Sequence, residues 1–360
     1  MIILKNPKDR IIAALITLLL IFALFSLAVI ASESLSVSAK SATLYETGKG
    51  KFYYTKAADT RLPMASTTKR MTALVALDKA SPDTVISVPS EAVGIEGSSL
   101  YLKAGERFTL RDLLYGLMLR SANDAAVAIA CSVGGSLPRF VDMMNEKALE
   151  LGLVNTHFEN PHGLDGDSHY TTARELALIT AEAMKNPLFC KITSTYKVTI
   201  TNSEGDARLV VNHNKLLKQY SGCFGIKTGF TKRCGRCLVS AAERDGITLV
   251  AVTINDPDDW RDHKNMLDFG FSTLENVKLA GKMEISHSIP TLGGIPSTVR
   301  VSNRDELYAV LPKSRGEISV KVVCDDYLYT PYDINRPIGY AAFYLDNEKL
   351  GQVDLFPIIN

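Results

Sequence analysis

Ser66 and Lys69, in Ser66-Thr67-Thr68-Lys69, place a hydroxyl and an amine three residues apart, a spacing that can do chemistry. At the head of a helix, positions i and i+3 share one face, so the two groups can meet. A serine hydroxyl keeps its proton near neutrality and needs an adjacent base. A lysine whose ammonium is desolvated can be that base. The helix N-terminus adds the positive end of its dipole under the developing charge. The tetrad is not specific by itself, because Ser194-Thr195-Tyr196-Lys197 has the same pattern. A lone serine at such a place reads equally well as a helix cap.

Two further groups separate the first tetrad from the second. Ser121-Ala122-Asn123 offers a hydroxyl to relay a proton and an amide to hold a peptide group. Lys227-Thr228-Gly229 offers a cation, a hydroxyl and a glycine that lets another backbone come close. Both follow Ser66 in order, whereas no Ser-x-Asn follows Ser194.

This order of S-x-x-K, S-x-N and K-T-G resembles the penicillin-interacting serine enzymes. The resemblance runs from about Ser38 to Ser272, and the region beyond resembles the appended β domain of the low-molecular-mass penicillin-binding proteins. Several longer stretches are similar to the D-alanyl-D-alanine carboxypeptidases of that group. They are Leu119–Ala126 (LRSANDAA), Asn160–Asp165 (NPHGLD), His169–Ala177 (HYTTARELA), Asn212–Leu217 (NHNKLL) and Lys227–Thr231 (KTGFT).

The resemblance implies roles for the matching positions. Ser66 attacks the carbonyl between two D-alanines, Lys69 takes its proton, and Ser121 with Lys227 passes a proton to the leaving amine. Asn123 hydrogen-bonds the substrate backbone, and the N–H groups of Ser66 and Phe230 hold the oxyanion. Lys227 and Thr228 suit the free carboxylate of the substrate, with Gly229 beside them. Arg261 stands where the family often has an arginine near that carboxylate. The implied substrate is a peptidoglycan pentapeptide ending in D-Ala-D-Ala, with β-lactams as acylating ligands, and no metal or cofactor is expected.

Some residues depart from the family pattern. Cys234 replaces a small residue, Phe230 stands where tyrosine or histidine is commoner, and Ala122 in place of aspartate points away from the class A β-lactamases. A β-lactamase and an idle cell-wall scaffold remain the rival readings. A Ser-His-Asp hydrolase has no G-x-S-x-G here, and His162 and His169 fall in a Gly/Asp-rich loop that suits turn stabilisation.

To bring distant motifs together the chain needs a sheet assembled from both of its ends. Ala42–Tyr45 and Phe52–Tyr54 flank Gly48-Lys49-Gly50 as a hairpin, and 238–242 with 249–254 alternate around the Asp245-Gly246 turn. Helical periodicity covers about 67–80, 110–119, 125–133 and 172–184, with a junction at Arg120–Asp124. The expected fold is mixed α/β, a β-lactamase/transpeptidase-like domain with an antiparallel sheet and a helical subdomain over 35–282. Pro290, Gly293, Gly294 and Pro296 suggest a linker at 283–300. A small all-β domain at 283–360 completes the chain, with β-like runs at 318–323, 339–345 and 352–356.

Lys5, Lys8 and Arg10 precede an apolar run from Ile11 to Ala31, an export signal long enough to act as an anchor. Residues 1–31 are therefore expected as signal peptide or signal anchor, and the enzyme as exported or held on the outer membrane face. Phe356–Asn360 lack an amphipathic helical pattern, which leaves the membrane contact to the N-terminal run. The formal net charge of +1 gives no field for nucleic acid. Of six cysteines, Cys234 and Cys237 form the one C-x-x-C, read as small buried strand residues rather than half a zinc site.

Overall fold

The computed structural model describes residues 35–358, so the apolar run at 11–31 lies outside the described residues. Strands β1 (Ser41–Glu46) and β2 (Lys51–Lys56) form the expected hairpin. Far along the chain come β3 (Lys227–Thr231), β4 (Gly235–Arg244) and β5 (Ile247–Ile254). The five make one antiparallel sheet in the order β2-β1-β5-β4-β3, so β3 is an edge. The sheet thus joins the two ends of the larger domain, and the K-T-G lies on its open side.

Helices α1 (Lys69–Lys79), α2 (Leu110–Tyr115), α3 (Asn123–Gly134), α4 (Leu137–Glu150) and α5 (Ala173–Met184) lie between β2 and β3, and α6 (Asp259–Thr273) follows β5. Strand β1 is buried along its whole length, which requires cover on both faces. Leu44 points to α6, where a Cβ on Gly270 would stand 3.0 Å from its Cδ2. Its neighbour Tyr45 points the other way, toward Leu178 and Ala181 of α5. Helix α3 is Ala-rich and buried from Asn123 to Ala130, as an all-round apolar helix must be.

The expected junction at Arg120–Asp124 is sharper than a turn. Helix α2 passes into a π-helical turn over Gly116–Arg120 that ends at Ser121 in the left-handed region, φ 64°. Helix α1 is preceded by a 3-10 turn, Ala65–Thr68, so Ser66 sits in the tightened entry rather than inside the helix.

The linker expected at 283–300 is not a linker. Gly293, Gly294 and Pro296 form the turn between two paired strands, β7 (Ser286–Leu292) and β8 (Thr298–Asn303), and Pro290 lies within β7 opposite Thr298. The all-β domain begins ahead of it, with β6 (Leu274–Ala280) starting as α6 ends and pairing with β9 (Leu307–Pro312). The remaining strands are β10 (Ile318–Cys324), β11 (Leu328–Tyr329), β12 (Gly339–Leu345) and β13 (Glu348–Pro357). They join β7 and β8 in a sheet of order β10-β12-β13-β8-β7-β11. Two small cores hold the domain, one around Leu311, Phe343 and Val353 and the other around Ile289, Val301 and Leu355.

Candidate active site

The 3-10 entry to α1 aims Ser66 and Lys69 at each other, with Lys69 Nζ 3.0 Å from Ser66 Oγ. The same nitrogen donates to Asn123 Oδ1 at 2.7 Å and to the carbonyl of His162 at 2.5 Å. Asn123 Nδ2 is turned to the carbonyl of Glu96 at 2.5 Å, which fixes its Oδ1 toward Lys69. A carbonyl oxygen and an amide oxygen only accept. When Lys69 is neutral, its two hydrogens serve those acceptors and its lone pair is left for the Ser66 hydroxyl.

Electrostatics favour that neutral state. Lys69 is fully buried, and burial first, then the charge of Lys227, pull its pKa well below the ordinary lysine range, with Asp124 opposing. Lys227 is also buried and falls to about 7, through burial and the neighbouring Arg70. His162 falls to about 3 and His169 to about 4, both chiefly by burial, so both rings are neutral near pH 7. His169 Nε2 lies 2.7 Å from Thr68 Oγ1, so the 160–169 loop supports the catalytic turn through contacts that sequence reasoning took only as turn chemistry.

Strain brackets the same groups. Ala65 (φ 47°), Ser121 (φ 64°) and Ile226 (φ 84°) are non-glycine residues in the left-handed region, directly beside or within the three motifs. Ser121 is buried, yet its hydroxyl has no hydrogen-bond partner among the described residues and faces the cleft. Two glycines let backbones close on Ser66. A Cβ on Gly229 would lie 3.2 Å from the backbone nitrogens of Ser66 and Thr67, and one on Gly163 (φ 90°) only 2.0 Å from the carbonyl oxygen of Ala65.

Ser66, Ser121, Thr228, Gly229 and Phe230 line one cleft of about 460 Å³. Lys69, Asn123 and Lys227 stand buried behind its floor, with Lys227 Nζ donating to the carbonyl of Thr228 at 2.8 Å. A larger cavity of about 530 Å³, near Tyr45 and Leu178, contains none of the motif residues. Arg261 is not among the cleft residues. Its guanidinium is exposed and pairs with Asp258 at 2.8 Å and Asp262 at 3.5 Å. The arginine of the cleft wall is Arg236, held by Asp259 at 2.5 Å, with Trp260 beside it.

Sequence reasoning also passed over Ser98, His213 and Asp124. Ser98 and His213 line the cleft. The carboxylate of Asp124 accepts from the N–H groups of Leu100 and Leu102 at 3.0–3.1 Å and from Ser99 Oγ at 2.6 Å, which pins the 98–102 loop over the S-A-N junction. The cue for Asp124 was its place directly after the S-A-N, and for His213 its place in the Asn212–Leu217 stretch; Ser98 had none.

A serine within hydrogen-bond reach of a buried lysine, beside a strained S-x-N turn and an open K-T-G strand, is the constellation of the penicillin-interacting serine acyl-transfer enzymes, and this chain is one of that class. Within that class it belongs to the D-alanyl-D-alanine carboxypeptidase family, whose profile matches residues 28–258, and it is a serine D,D-carboxypeptidase. The C-terminal domain of penicillin-binding protein 5 matches residues 274–357, where the all-β domain begins and ends. The chain is 31% identical over 331 residues to the D-alanyl-D-alanine carboxypeptidase DacF of Bacillus subtilis, covering 89% of this chain and 85% of that one. It is 30% identical over 333 residues to DacA of Escherichia coli, covering 88% and 82%. The crystal structure of penicillin-binding protein 5 from Haemophilus influenzae superposes with a TM-score of 0.71 at 26% identity, covering 92% of this chain and 99% of that chain. The Streptomyces K15 DD-transpeptidase superposes with a TM-score of 0.62, covering 66% and 98%.

Proposed function

We propose that the enzyme removes the terminal D-alanine from peptidoglycan peptides through an acyl-enzyme on Ser66. Neutral Lys69 takes the Ser66 proton as Oγ attacks the carbonyl between the two D-alanines. The backbone N–H groups of Ser66 and Phe230 stabilise the oxyanion. Ser121, with Lys227 behind it, passes a proton to the leaving amine, and water then hydrolyses the ester. Lys227 and Thr228 read the substrate carboxylate, and Gly229 keeps the strand close to Ser66. Asn123 reaches the substrate backbone once its amide leaves Glu96. Arg261 joins the carboxylate only by giving up its two aspartates. β-Lactams acylate the same serine.

The observation that carries this reading is the bonding of Lys69, whose fixed acceptors leave Ser66 as the one partner able to give it a proton. The test is release of D-alanine from a short peptide ending in D-Ala-D-Ala, by the parent and by Ser66→Ala. Release by the parent alone supports the reading; equal release by both, or none by a folded parent, sinks it. A penicilloyl adduct that turns over rapidly would favour a β-lactamase instead. The work is done outside the cytoplasm, with Ile11–Ala31 as the membrane anchor. Recovery of a mature chain starting near Ser32 in the soluble fraction would defeat the anchoring.

A further inference from the structure

The C-x-x-C lies beside the catalytic turn rather than in a remote part of the core. Cys234 and Cys237 are both buried, and their sulfurs stand 2.9 Å apart, closer than unbonded sulfurs ordinarily pack. Cys234 sits in the turn after β3 and Cys237 on β4, so backbone geometry already holds the pair near bonding distance. Cys237 borders the cleft and pairs in register with Gly229 of the K-T-G. Cys234 Sγ donates to the carbonyl of Pro63 at 2.8 Å, three residues before the nucleophile, and its N–H donates to Thr231 Oγ1 at 3.0 Å. The two sulfurs therefore touch both walls that converge on Ser66. None of the other four cysteines is bonded to another.

We propose that Cys234 and Cys237 form a reversible intrachain disulfide outside the cytoplasm, and that this bond slows acylation of Ser66. Its natural oxidant would be a small or protein-borne disulfide. Cys237, at the cleft, attacks the oxidant and forms a mixed disulfide with loss of one thiol. Cys234 then displaces the second, so two protein thiols become one disulfide while the oxidant's disulfide becomes two thiols, which take up the released protons. The hydrogen bond to Cys237 and burial both push the Cys234 thiol up, which makes it the resolving partner. Closure to about 2.05 Å moves Cys234 by nearly 1 Å and removes its donor from Pro63. A displacement of about 1 Å at a reacting group costs up to ~10²-fold in rate.

The test is oxidation of the folded full chain with oxidised glutathione, followed by alkylation, peptide mapping by mass spectrometry and the rate of labelling by a fluorescent penicillin. The expected result is a Cys234–Cys237 disulfide and labelling slowed about tenfold or more, restored by dithiothreitol. Cys234→Ser, which keeps a donor toward Pro63, should label at the rate of the reduced parent and ignore glutathione; if serine does not fold, the glutathione and dithiothreitol arms on the parent decide the brake. Both thiols still open to alkylation after denaturation would overturn the bond, and equal labelling of the two forms would overturn the brake. The rate arm rests on the Ser66 assignment and the thiol map does not. A chain that takes no penicillin in either form would sink Ser66 and the brake together, while the map still decides the bond.

Discussion

The catalytic cleft and the C-terminal β domain treat charge in opposite ways. Behind the cleft, Lys69, Arg70 and Lys227 are each at most 1% exposed, and none forms an ion pair among the described residues. In the β domain, charges such as Lys278 and Glu306 pair at 2.7 Å on a surface where both remain well exposed. Surface pairs of that kind contribute about 0–1 kcal/mol, whereas an unpaired buried cation costs several kcal/mol. The first arrangement lowers the pKa values of both lysines. The second leaves the charges as ordinary solvated groups.

The sharpest break between the regions is expected at the nucleophile. Ser66→Ala should reduce D-alanine release by about 10⁶-fold with the denaturation midpoint unchanged, measured by turnover and urea melting side by side. Lys69→Ala should follow with a loss of about 10²–10⁴-fold in penicillin acylation, the usual worth of a positioned base.

Lys227 supplies a stability test. Its pKa is about 7 in the fold and ~10.4 in the unfolded chain, so between those values the unfolded state binds a proton that the folded state lacks. Stability should therefore rise with pH across that window. Comparison with Lys227→Met by chemical denaturation at pH 7 and pH 10 should reveal a difference in slope worth on the order of 3–4 kcal/mol. Equal slopes would mean that Lys227 is solvated or paired in solution.

Gly229→Ala should lower acylation about 10²-fold while leaving the fold intact, because the added carbon meets the Ser66 backbone at 3.2 Å. At the other extreme, Lys278→Ala should shift stability by less than ~0.5 kcal/mol and acylation not at all. A larger effect would mean that the β domain is coupled to the cleft.

Much of this was legible in the chain. The hairpins around Gly48–Gly50 and Asp245-Gly246 were readable because turn chemistry and period-two alternation agree there. The three motifs placed Ser66, Lys69, Ser121 and the K-T-G strand, since each names its groups by type and spacing. Other features had no local signal. The π turn before Ser121 and the neutralising environment of Lys69 depend on packing between segments far apart in sequence. The Pro/Gly cluster at 290–296 misled because a hairpin turn and a linker use the same residues. Arg236 was passed over for Arg261 because exposure and pairing with Asp259 arise only when β4 meets α6.

The edge position of β3 has a colloidal consequence. A bare strand edge is a template that any extended chain can lengthen, and proteins ordinarily blunt such edges or cover them. This strand must stay open, and it carries Phe230 at 67% exposure. Lys232, exposed in the turn that follows, puts a charge where a second copy would have to dock, beside Arg233, which pairs with Asp167 at 3.3 Å. The open edge is thus also the place where self-association would begin, and the exposed Lys232 at its end opposes that fate.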